Sequence, residues 1–161
     1  NEYVLLVRTM RQQKVQPKEI YSVLGGAASS YKFVKEFPEA ADGIIDCNHW
    51  FNPKDKRSFA LKKRTEAKGL FFSYEVFNTY TAVMLLADAI ERAKSTDRAA
   101  ITAALASSTF SDHFLPYGPT KFVNGQNTGA QPLMTQVVKN DIRVIVPSDY
   151  REVEPRFPLR A

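Results

Sequence analysis

Val23-Leu-Gly-Gly-Ala-Ala-Ser-Ser-Tyr-Lys-Phe-Val-Lys-Glu-Phe37 is the stretch that decides the fold class. It overlaps a β-rich run at residues 19–24, which predicts a short buried strand. The pair Gly25-Gly26 permits a sharp turn out of that strand, because glycine adopts backbone conformations that other residues avoid. Ser29 or Ser30 is expected to cap a helix whose apolar residues recur at helical spacing. The stretch therefore predicts a strand, a tight turn and a helix in immediate succession.

The same alternation extends over the first third of the chain. A helix is predicted at residues 2–13, where apolar side chains have helical spacing, and a second buried strand at residues 44–48. The order helix, strand, helix, strand is typical of a parallel sheet flanked by helices, so we predict the α/β class. The rest of the chain is predicted to form three helices and then hairpin strands, at residues 58–68, 74–94, 97–106, 120–123, 133–138 and 142–146.

The composition is that of an ordinary soluble domain. The chain has 161 residues, of which 44% are hydrophobic and 24% charged, and it carries a net charge of +5. It is therefore long enough to bury a core. Basic residues gather at residues 54–57 and 62–64, but Asp55 and Glu66 interrupt them and no nucleic-acid-binding motif accompanies them. We interpret this run as a solvated helix face and predict no nucleic-acid partner.

Targeting and redox features are sparse. The longest apolar run, Ala82–Ala87, is far shorter than a bilayer span. The start at Asn1 has neither the basic residues nor the cleavage site of a signal peptide, and it falls inside a helical pattern. We therefore expect the sequence to be a piece of a longer protein. The single cysteine, Cys47, excludes an internal disulfide and is expected to be a buried apolar residue of a strand.

Two overlapping patterns in the opening stretch are those of enzymes. Tyr31 and Lys35 have the Tyr-x-x-x-Lys spacing of short-chain dehydrogenases, in which the lysine lowers the tyrosine pKa for proton transfer. Ser29 and Lys32 have the Ser-x-x-Lys spacing of penicillin-recognising enzymes. Both spacings are short and arise often by chance, and the chain has no glycine-rich dinucleotide turn. We therefore predict no catalytic residues and no cofactor, with a short-chain-dehydrogenase-like enzyme as a weaker alternative.

The two histidines, His49 and His113, lack the partners that a metal or catalytic site needs. They lie far apart in the sequence, and no cysteine or acidic cluster supplies the spacing of metal ligands. Ser111 and Asp112 precede His113 directly, but adjacency in a loop does not create the geometry of a catalytic triad. We therefore predict no metal site.

The binding interpretation rests on the turn at residues 24–28. In open α/β sheets, ligands bind outside the carboxyl ends of the strands, where the backbone turns into helices. The absence of bulky side chains at Gly25 and Gly26 lets backbone N–H groups approach a ligand, and the helix that starts near Ser30 favours an oxygen there. The alternative is that the two glycines serve only to pack the helix against the strand.

Several groups of residues are weak motifs individually but specific in their order and spacing. They are Leu6–Arg11, Glu39–Ile45, Trp50, Tyr80–Ile90 with Ser95–Arg98 and Ala103–Leu105, Tyr117–Phe122 with Asn124-Gly125, Gln136, and Arg156–Pro158. In this order they resemble the C-terminal part, under half, of type I periplasmic solute-binding proteins. The resemblance is to the branched-chain-amino-acid-binding group that serves ABC transporters.

The resemblance implies an α/β fold of two lobes, each a Rossmann-like parallel sheet flanked by helices, joined by three chain crossings. It assigns residues 1–49 and 136–161 to the C-terminal lobe and residues 50–135 to the N-terminal lobe. The first half of the family's chain has no counterpart in this sequence, so the fragment is expected to leave both lobes incomplete. Either the missing N-terminal half or a second chain would complete the fold.

The function implied by the resemblance is that of the substrate-binding component of an ABC importer. Such a protein captures a small solute by closure of the lobes, catalyses nothing, and delivers the solute to a membrane permease. The implied location is the periplasm, and the implied solutes are amino acids and aromatic or other small carboxylates. A ligand-sensing regulatory protein of the same fold is the alternative.

The resemblance also implies which residues contact the solute. The turn after the first strand corresponds to Leu24, Gly25, Gly26 and Ala27, and the start of the long helix contributes Glu75 and Phe77. Amino-acid-binding members place an acidic residue in that turn to pair with the ammonium group. This chain has Leu24-Gly25 there, which argues against an amino acid, unless Glu75 supplies the negative charge.

Overall fold

The fold is built from six α-helices and six strands in the part of the chain that the structure, a computed structural model, describes: residues 2–23 and 26–158. The helices are α1 (Glu2–Gln12), α2 (Tyr31–Glu36), α3 (Pro38–Ala41), α4 (Lys56–Ala67), α5 (Tyr74–Ala93) and α6 (Arg98–Ala106). The strands are β1 (Tyr21–Val23), β2 (Ile45–Asn48), β3 (Phe122–Val123), β4 (Gln126–Asn127), β5 (Leu133–Val138) and β6 (Asp141–Val146). A short 3-10 helix at Ser148–Tyr150 follows β6.

Four of the strands form one mixed sheet in the order β1-β2-β5-β6. β1 and β2 are parallel, as the alternation of helices and strands predicts, whereas β2–β5 and β5–β6 are antiparallel. The α/β class is therefore confirmed, but the sheet is not wholly parallel. The reason is the hairpin at its far edge, where Lys139 and Asn140 adopt φ values of 51° and 63° and close a tight turn.

Two helices begin with a capping aspartate, whereas the serines at the N-cap positions of α2 and α5 make no capping hydrogen bond. Asp55 accepts a hydrogen bond from the backbone N–H of Arg57 and caps α4, and Asp97 caps α6 in the same way through the N–H groups of Ala99 and Ala100. Ser30 occupies the N-cap position of α2, but its hydroxyl makes no capping hydrogen bond. None of the helices in the described part of the chain is long and apolar enough to cross a bilayer.

An aromatic cluster lies at the centre of the core. Trp50 and Phe77 have no exposed surface, and their rings meet edge to face at 5.6 Å between centroids. Phe51 and Phe72 pack against both of them at centroid distances from 5.1 to 6.2 Å. Edge-to-face aromatic pairs stabilise a fold by about 0.5–1.5 kcal/mol beyond the area they bury, so this cluster stabilises the core.

One hydrophobic core contains residues from all three segments of the predicted lobe assignment, 1–49, 50–135 and 136–161. It includes Val7 and Ala41 from the first, Trp50 and Phe77 from the second, and Val137 from the third. The lobe boundaries at 49/50 and 135/136 stay a prediction. Strand β5 crosses the second of these boundaries, because it begins at Leu133 and belongs to the sheet that holds β1 and β2.

Two predictions about single side chains need adjustment. Leu6 shares a helical stripe with Val7 and Met10 in the sequence, but it is 58% exposed and Val7 carries the burial of α1. Cys47 lies on β2 as expected, yet it is only half-buried and is a free thiol. Both side chains lie on surfaces that other parts of the described chain do not cover.

Candidate functional site

An open groove of about 560 Å³ lies where α1, the turn after β1, α2 and the start of α5 meet. The turn contributes Gly26, Ala27 and Ser30, and the start of α5 contributes Tyr74 and Glu75. The helices α1 and α2 contribute the other lining residues, namely Val4, Leu5, Arg8, Lys32, Phe33, Glu36 and Phe37. The groove thus lies at the carboxyl end of β1, where an open α/β sheet binds its ligands.

Gly26 is required in the turn for two separate reasons. Its φ of +73° is in the left-handed region, where residues with a Cβ are strained. A Cβ at this position would also lie 3.2 Å from Cε1 and 3.3 Å from the hydroxyl oxygen of Tyr74. The bare backbone of the turn therefore makes room for a tyrosine ring at the groove as well as for a sharp change of chain direction.

Backbone hydrogen bonds join the turn to the start of α5. The N–H of Tyr31 donates to the carbonyl of Phe72 at 3.0 Å, and the N–H of Tyr74 donates to the carbonyl of Ser29 at 3.1 Å. Ser30 and Ser73 form an isolated antiparallel bridge between them. Because backbone bonds hold the two segments together, Glu75 and the glycine turn line the same groove although they are far apart in the sequence.

The hydroxyl of Ser29 joins the turn to the sheet by a buried hydrogen bond. It donates to Oδ2 of Asp46 on β2, and both side chains have no exposed surface. The other carboxylate oxygen, Oδ1, has no hydrogen-bond partner within the described part of the chain. A hydrogen bond to a buried carboxylate is among the stronger ones in a protein, so the pair fixes the turn to the sheet.

The charged residues of the groove are of both signs. Arg8 and Lys32 can pair with a carboxylate, and Glu36 and Glu75 can pair with an ammonium group. The guanidinium of Arg8 lies 4.7 Å from the ring centroid of Phe37, which holds it against the groove. Burial raises the pKa of Tyr74, and the neighbouring Glu75 carboxylate raises it further, so the Tyr74 hydroxyl stays protonated and can donate a hydrogen bond.

The family assignment rests on a sequence match. The profile of a family described as periplasmic binding protein matches residues 1–142. The chain belongs to the periplasmic binding protein family. This confirms the resemblance and the fold class, and the proteins of this family are solute-binding proteins, which are not enzymes. The family is one of periplasmic or extracellular proteins.

Solved structures show the same fold at low sequence identity. A leucine-binding protein from Thermotoga maritima has a TM-score of 0.70 and 20% identity over 89% of this chain. A branched-chain amino acid ABC transporter protein from Thermus thermophilus, with bound valine, has a TM-score of 0.69 and 15% identity over 89% of this chain. A putative branched-chain amino acid ABC transporter protein from Silicibacter pomeroyi has a TM-score of 0.68 and 18% identity over 97% of it.

This periplasmic binding protein chain spans less than half the length of these relatives. It spans 40% of the Thermotoga chain, 42% of the Thermus chain and 44% of the Silicibacter chain. No curated protein matches the sequence significantly. The comparisons therefore show the family and the fold.

The residues predicted to contact the solute do not all lie at the groove of this periplasmic binding protein. Gly26 and Ala27 line the groove, although Ala27 is only 5% exposed, and Glu75 lines it with an exposed side chain. Phe77 lies in the aromatic cluster with no exposed surface and does not line the groove. Leu24 and Gly25 lie outside the residues that the structure describes.

The sequence did not predict that Arg8, Lys32, Glu36 and Tyr74 line a groove. Lys32 and Glu36 are four positions apart and so share a face of α2, which is the pattern that would have indicated them. Nothing in the sequence indicates that α1 approaches α2, because that contact is tertiary. Arg8 becomes part of the site only through this packing.

The dehydrogenase-like arrangement of Tyr31 and Lys35 does not form. The Tyr31 hydroxyl donates to Asp141, and burial raises the pKa of Tyr31, with the Asp141 carboxylate adding to the shift. A catalytic tyrosine of that type needs a lowered pKa. The Nζ of Lys35 pairs with Glu66 at 3.1 Å and lies 5.8 Å from the Tyr31 ring centroid, so it does not activate the hydroxyl.

The Ser29–Lys32 pattern and His113 have structural explanations too. Ser29 has no exposed surface and donates to Asp46, so it is not an accessible nucleophile. Nδ1 of His113 accepts the N–H of Leu115 at 3.3 Å, and its Nε2 lies 3.2 Å from the carbonyl of Gly118. These contacts organise a loop. Within residues 2–23 and 26–158, no group of three metal-ligating side chains occurs.

Proposed function

We propose that the chain is part of the substrate-binding component of an ABC importer, which captures a small solute between two lobes. The observation that carries the proposal is the open groove in which the glycine turn and the start of α5 come together. Family membership supports it, because the family consists of periplasmic binding proteins. The partners are a small solute and a membrane permease, and the location is the periplasm.

The lobe assignment belongs to the same proposal. Residues 1–49 and 136–161 contribute to the C-terminal lobe, and residues 50–135 contribute to the N-terminal lobe. The remaining part of both lobes comes from the missing N-terminal half or from a second chain. The proposed solute contacts are Leu24, Gly25, Gly26, Ala27, Glu75 and Phe77, of which Phe77 would need to become accessible on lobe movement.

The proposed solute is an amino acid or an aromatic or other small carboxylate. Arg8 and Lys32 supply positive charges for a carboxylate, which all three solute types carry. The turn lacks the acid of amino-acid-binding members, so the ammonium group of an amino acid would depend on Glu75 or Glu36. The solved relatives described as binding leucine and holding valine are similar to this chain in fold.

Binding by the isolated chain is expected to be weak. Micromolar capture requires a net free energy of about 8 kcal/mol, and in a two-lobed protein both lobes contribute contacts. The groove in the isolated chain is open to solvent and offers one side of such a site. We therefore expect a dissociation constant larger than about 1 mM. A constant of about 1 mM corresponds to a net binding free energy of about 4 kcal/mol.

The test is a ¹⁵N–¹H NMR titration of the isolated chain with L-leucine, L-phenylalanine, benzoate and NADH in separate arms. We expect fast-exchange shifts at the amides of Gly26, Ala27 and Glu75 with at least one of the three carboxylates. NADH should leave those amides unchanged. Shifts spread evenly over the chain, no shift at the groove, or a response to NADH alone would refute the proposed site.

A further inference from the structure

Helix α4 presents a group of positive charges to solvent. Its residues Ser58, Leu61 and Thr65 are buried and define the side that packs on the core. Lys56 and Lys63, two turns apart, are exposed and lie on the opposite side. Four exposed cations of the helix and its C-cap form no ion pair within the described part of the chain, namely Lys56, Lys63, Arg64 and Lys68.

The carboxylates of this region are already paired with other cations. Asp55 pairs with Arg57 at 2.8 Å, and Glu66 pairs with Lys35 at 3.1 Å. The first turn of α4 has no acid, although the helix dipole favours one there, and it holds Lys56 instead. The positive charge of this surface is therefore not explained by the stability of the helix or by pairing within the chain.

An exposed leucine adjoins the cations at the end of α4. The N–H of Gly69 donates to the carbonyl of Glu66 at 2.9 Å, and the N–H of Leu70 donates to the carbonyl of Thr65 at 3.3 Å. This is the bonding pattern of a Schellman motif, in which the residue at the position of Leu70 frequently makes a hydrophobic contact with the last turn. Leu70 is instead 60% exposed. Its backbone is fixed while most of its side chain is in contact with water.

The composition of this region is that of a protein segment that lies on a bilayer. We define the α4 surface as Lys56, Phe59, Lys63, Arg64, Lys68 and Leu70, in which Phe59 is 39% exposed. Lysine and arginine beside phenylalanine and leucine are typical of interfacial membrane segments. A protein partner fits less well, because lysine is depleted in protein–protein interfaces. We propose that the α4 surface binds the headgroups of an anionic phospholipid bilayer, with Leu70 inserted among them.

This membrane contact is additional to the proposed solute and permease. None of the six residues of the α4 surface lines the groove, so a bilayer on α4 leaves the groove free. The contact is peripheral, because none of the described helices is long and apolar enough to cross a bilayer. A protein that delivers solute to a membrane permease works beside lipid, and electrostatic attraction to that surface raises its local concentration there.

The test is co-sedimentation of the purified 161-residue chain with lipid vesicles. One set contains phosphatidylcholine alone, and in the other phosphatidylglycerol replaces part of it. We expect binding to the anionic vesicles only, with its loss at about 1 M salt, where the Debye length is about 3 Å. Equal binding to both sets, binding to neither, or binding that persists at high salt would overturn the proposal.

A charge variant locates the contact on the chain. It combines Lys56→Gln, Lys63→Gln, Arg64→Gln and Lys68→Gln. Its matched control loses the same four charges from exposed lysines outside the α4 surface, through Lys14→Gln, Lys18→Gln, Lys94→Gln and Lys121→Gln. Circular dichroism verifies that both variants are folded.

The two variants should differ in their affinity for the anionic vesicles. One cation close to an anionic leaflet strengthens binding about fivefold. The charge variant should therefore bind at least about twentyfold more weakly than the wild type, and the control should lose less than about fivefold. Equal losses would show that binding follows net charge and not the α4 surface, which would overturn the proposal.

The apolar part of the contact is tested by Leu70→Ala. A methylene group buried in a bilayer strengthens binding about fourfold, so this variant should bind the anionic vesicles at least about fourfold more weakly. Val123→Ala, at an apolar residue that is also exposed, is the control and should bind like the wild type. Unchanged binding of Leu70→Ala, or tighter binding of the wild type to immobilised poly-L-glutamate than to the vesicles, would indicate an acidic protein partner and refute the bilayer.

The outcome is separable from that of the proposed function. The NMR titration with the three carboxylates is repeated on the charge variant, in which the groove residues are unchanged. Shifts at Gly26 and Glu75 without vesicle binding by the wild type would refute the α4 contact alone. Vesicle binding without such shifts would refute the solute proposal alone.

Discussion

Two tyrosines begin neighbouring helices, and they show how differently the two regions of this molecule are built. Tyr31 is the first residue of α2, and Tyr74 is the first residue of α5. The backbone N–H of Tyr31 donates to the carbonyl of Phe72, and the backbone N–H of Tyr74 donates to the carbonyl of Ser29. Tyr31 is 4% exposed and donates its hydroxyl to Asp141. Tyr74 is half-buried and lines the open groove beside Gly26.

The surroundings of Tyr31 leave its side chain no freedom. The Nζ of Lys62 lies 3.8 Å from its ring centroid, and Asp141 also pairs with Arg143 at 2.6 Å. Trp50 packs on the ring at 6.4 Å between centroids. These contacts join α2, α4 and the β5–β6 hairpin, so the region around Tyr31 is structural. The region around Tyr74 has few such contacts, which is what a surface for a ligand requires.

The largest expected effect is that of Phe77→Ala, which removes a ring from the buried aromatic cluster. Replacing a fully buried phenylalanine costs about 3–5 kcal/mol of unfolding free energy, because a cavity remains. Urea denaturation followed by circular dichroism measures it. Glu75→Ala, two residues away on the exposed side, is the control and should change the unfolding free energy by less than about 0.5 kcal/mol. Equal effects of the two changes would remove the distinction between the regions.

Alkaline pH sharpens the comparison of the two tyrosines. Burial and Asp141 raise the pKa of Tyr31 above its ordinary value of 10.0, so the folded protein keeps this proton after the unfolded chain has lost it. The stabilisation is complete below pH 10 and is lost as pH rises above that value. The unfolding free energy should therefore fall by about 1.4 kcal/mol per pH unit from this residue alone.

The measurement is urea denaturation between pH 9 and 11.5 for the wild type, Tyr31→Phe and Tyr74→Phe. Tyr31→Phe should make the alkaline decline shallower by about 1.4 kcal/mol per pH unit above pH 10. Tyr74→Phe should alter the slope less, because the groove leaves this side chain half-buried. A decline that is identical in the wild type and Tyr31→Phe would show that the Tyr31 hydroxyl is not confined as described.

Gly26→Ala tests the junction between the two regions. The left-handed backbone at Gly26 costs about 1–2 kcal/mol with a Cβ, and the methyl group also contacts the Tyr74 ring. Gly69→Ala is the matched control, because Gly69 has a φ of +71° and open space around the added Cβ. The excess of Gly26→Ala over Gly69→Ala in denaturation measures the contact with Tyr74. No excess would mean that the ring moves freely.

The smallest expected effect on stability is that of Glu75→Gln in the open groove. An exposed side chain of this kind contributes less than about 0.5 kcal/mol to the unfolding free energy. The change should instead weaken the NMR response to L-leucine while leaving the response to benzoate intact, because only leucine carries an ammonium group. A weakened response to both, or to neither, would contradict the role proposed for Glu75.

The sequence predicted the helices, the strands and the turns of this chain well, for local reasons. Helices α5 and α6, for example, lie at Tyr74–Ala93 and Arg98–Ala106, where residues 74–94 and 97–106 were predicted to be helical. The glycine turn was predicted from its backbone to be one side of a binding site; Gly26 lines the groove, and the binding role stays a prediction. Phe77 is the instructive case. The resemblance implied a solute contact for it because it lies at the start of the long helix, but its side chain packs in the core with no exposed surface.

Some residues of the site were beyond local prediction. Arg8 reaches the groove because α1 packs beside α2, and Tyr74 reaches it because its helix is bonded to the turn after β1. The antiparallel insertion of β5 beside β2 likewise depends on residues far apart in the chain. No pattern within a short window encodes such contacts, since each depends on which surfaces remain available after the rest of the chain has packed.

The sequence by itself therefore determined the α/β class, the helix and strand order and the bare turn after β1, because apolar spacing, capping residues and glycine act over a few positions. The tertiary structure alone decided that Tyr31 is enclosed by Asp141 and Lys62 while Tyr74 borders an open groove. It also decided that the C-terminal segment covers the β6 edge through Glu152. The physical reason is that burial and charge pairing depend on segments brought together only by folding.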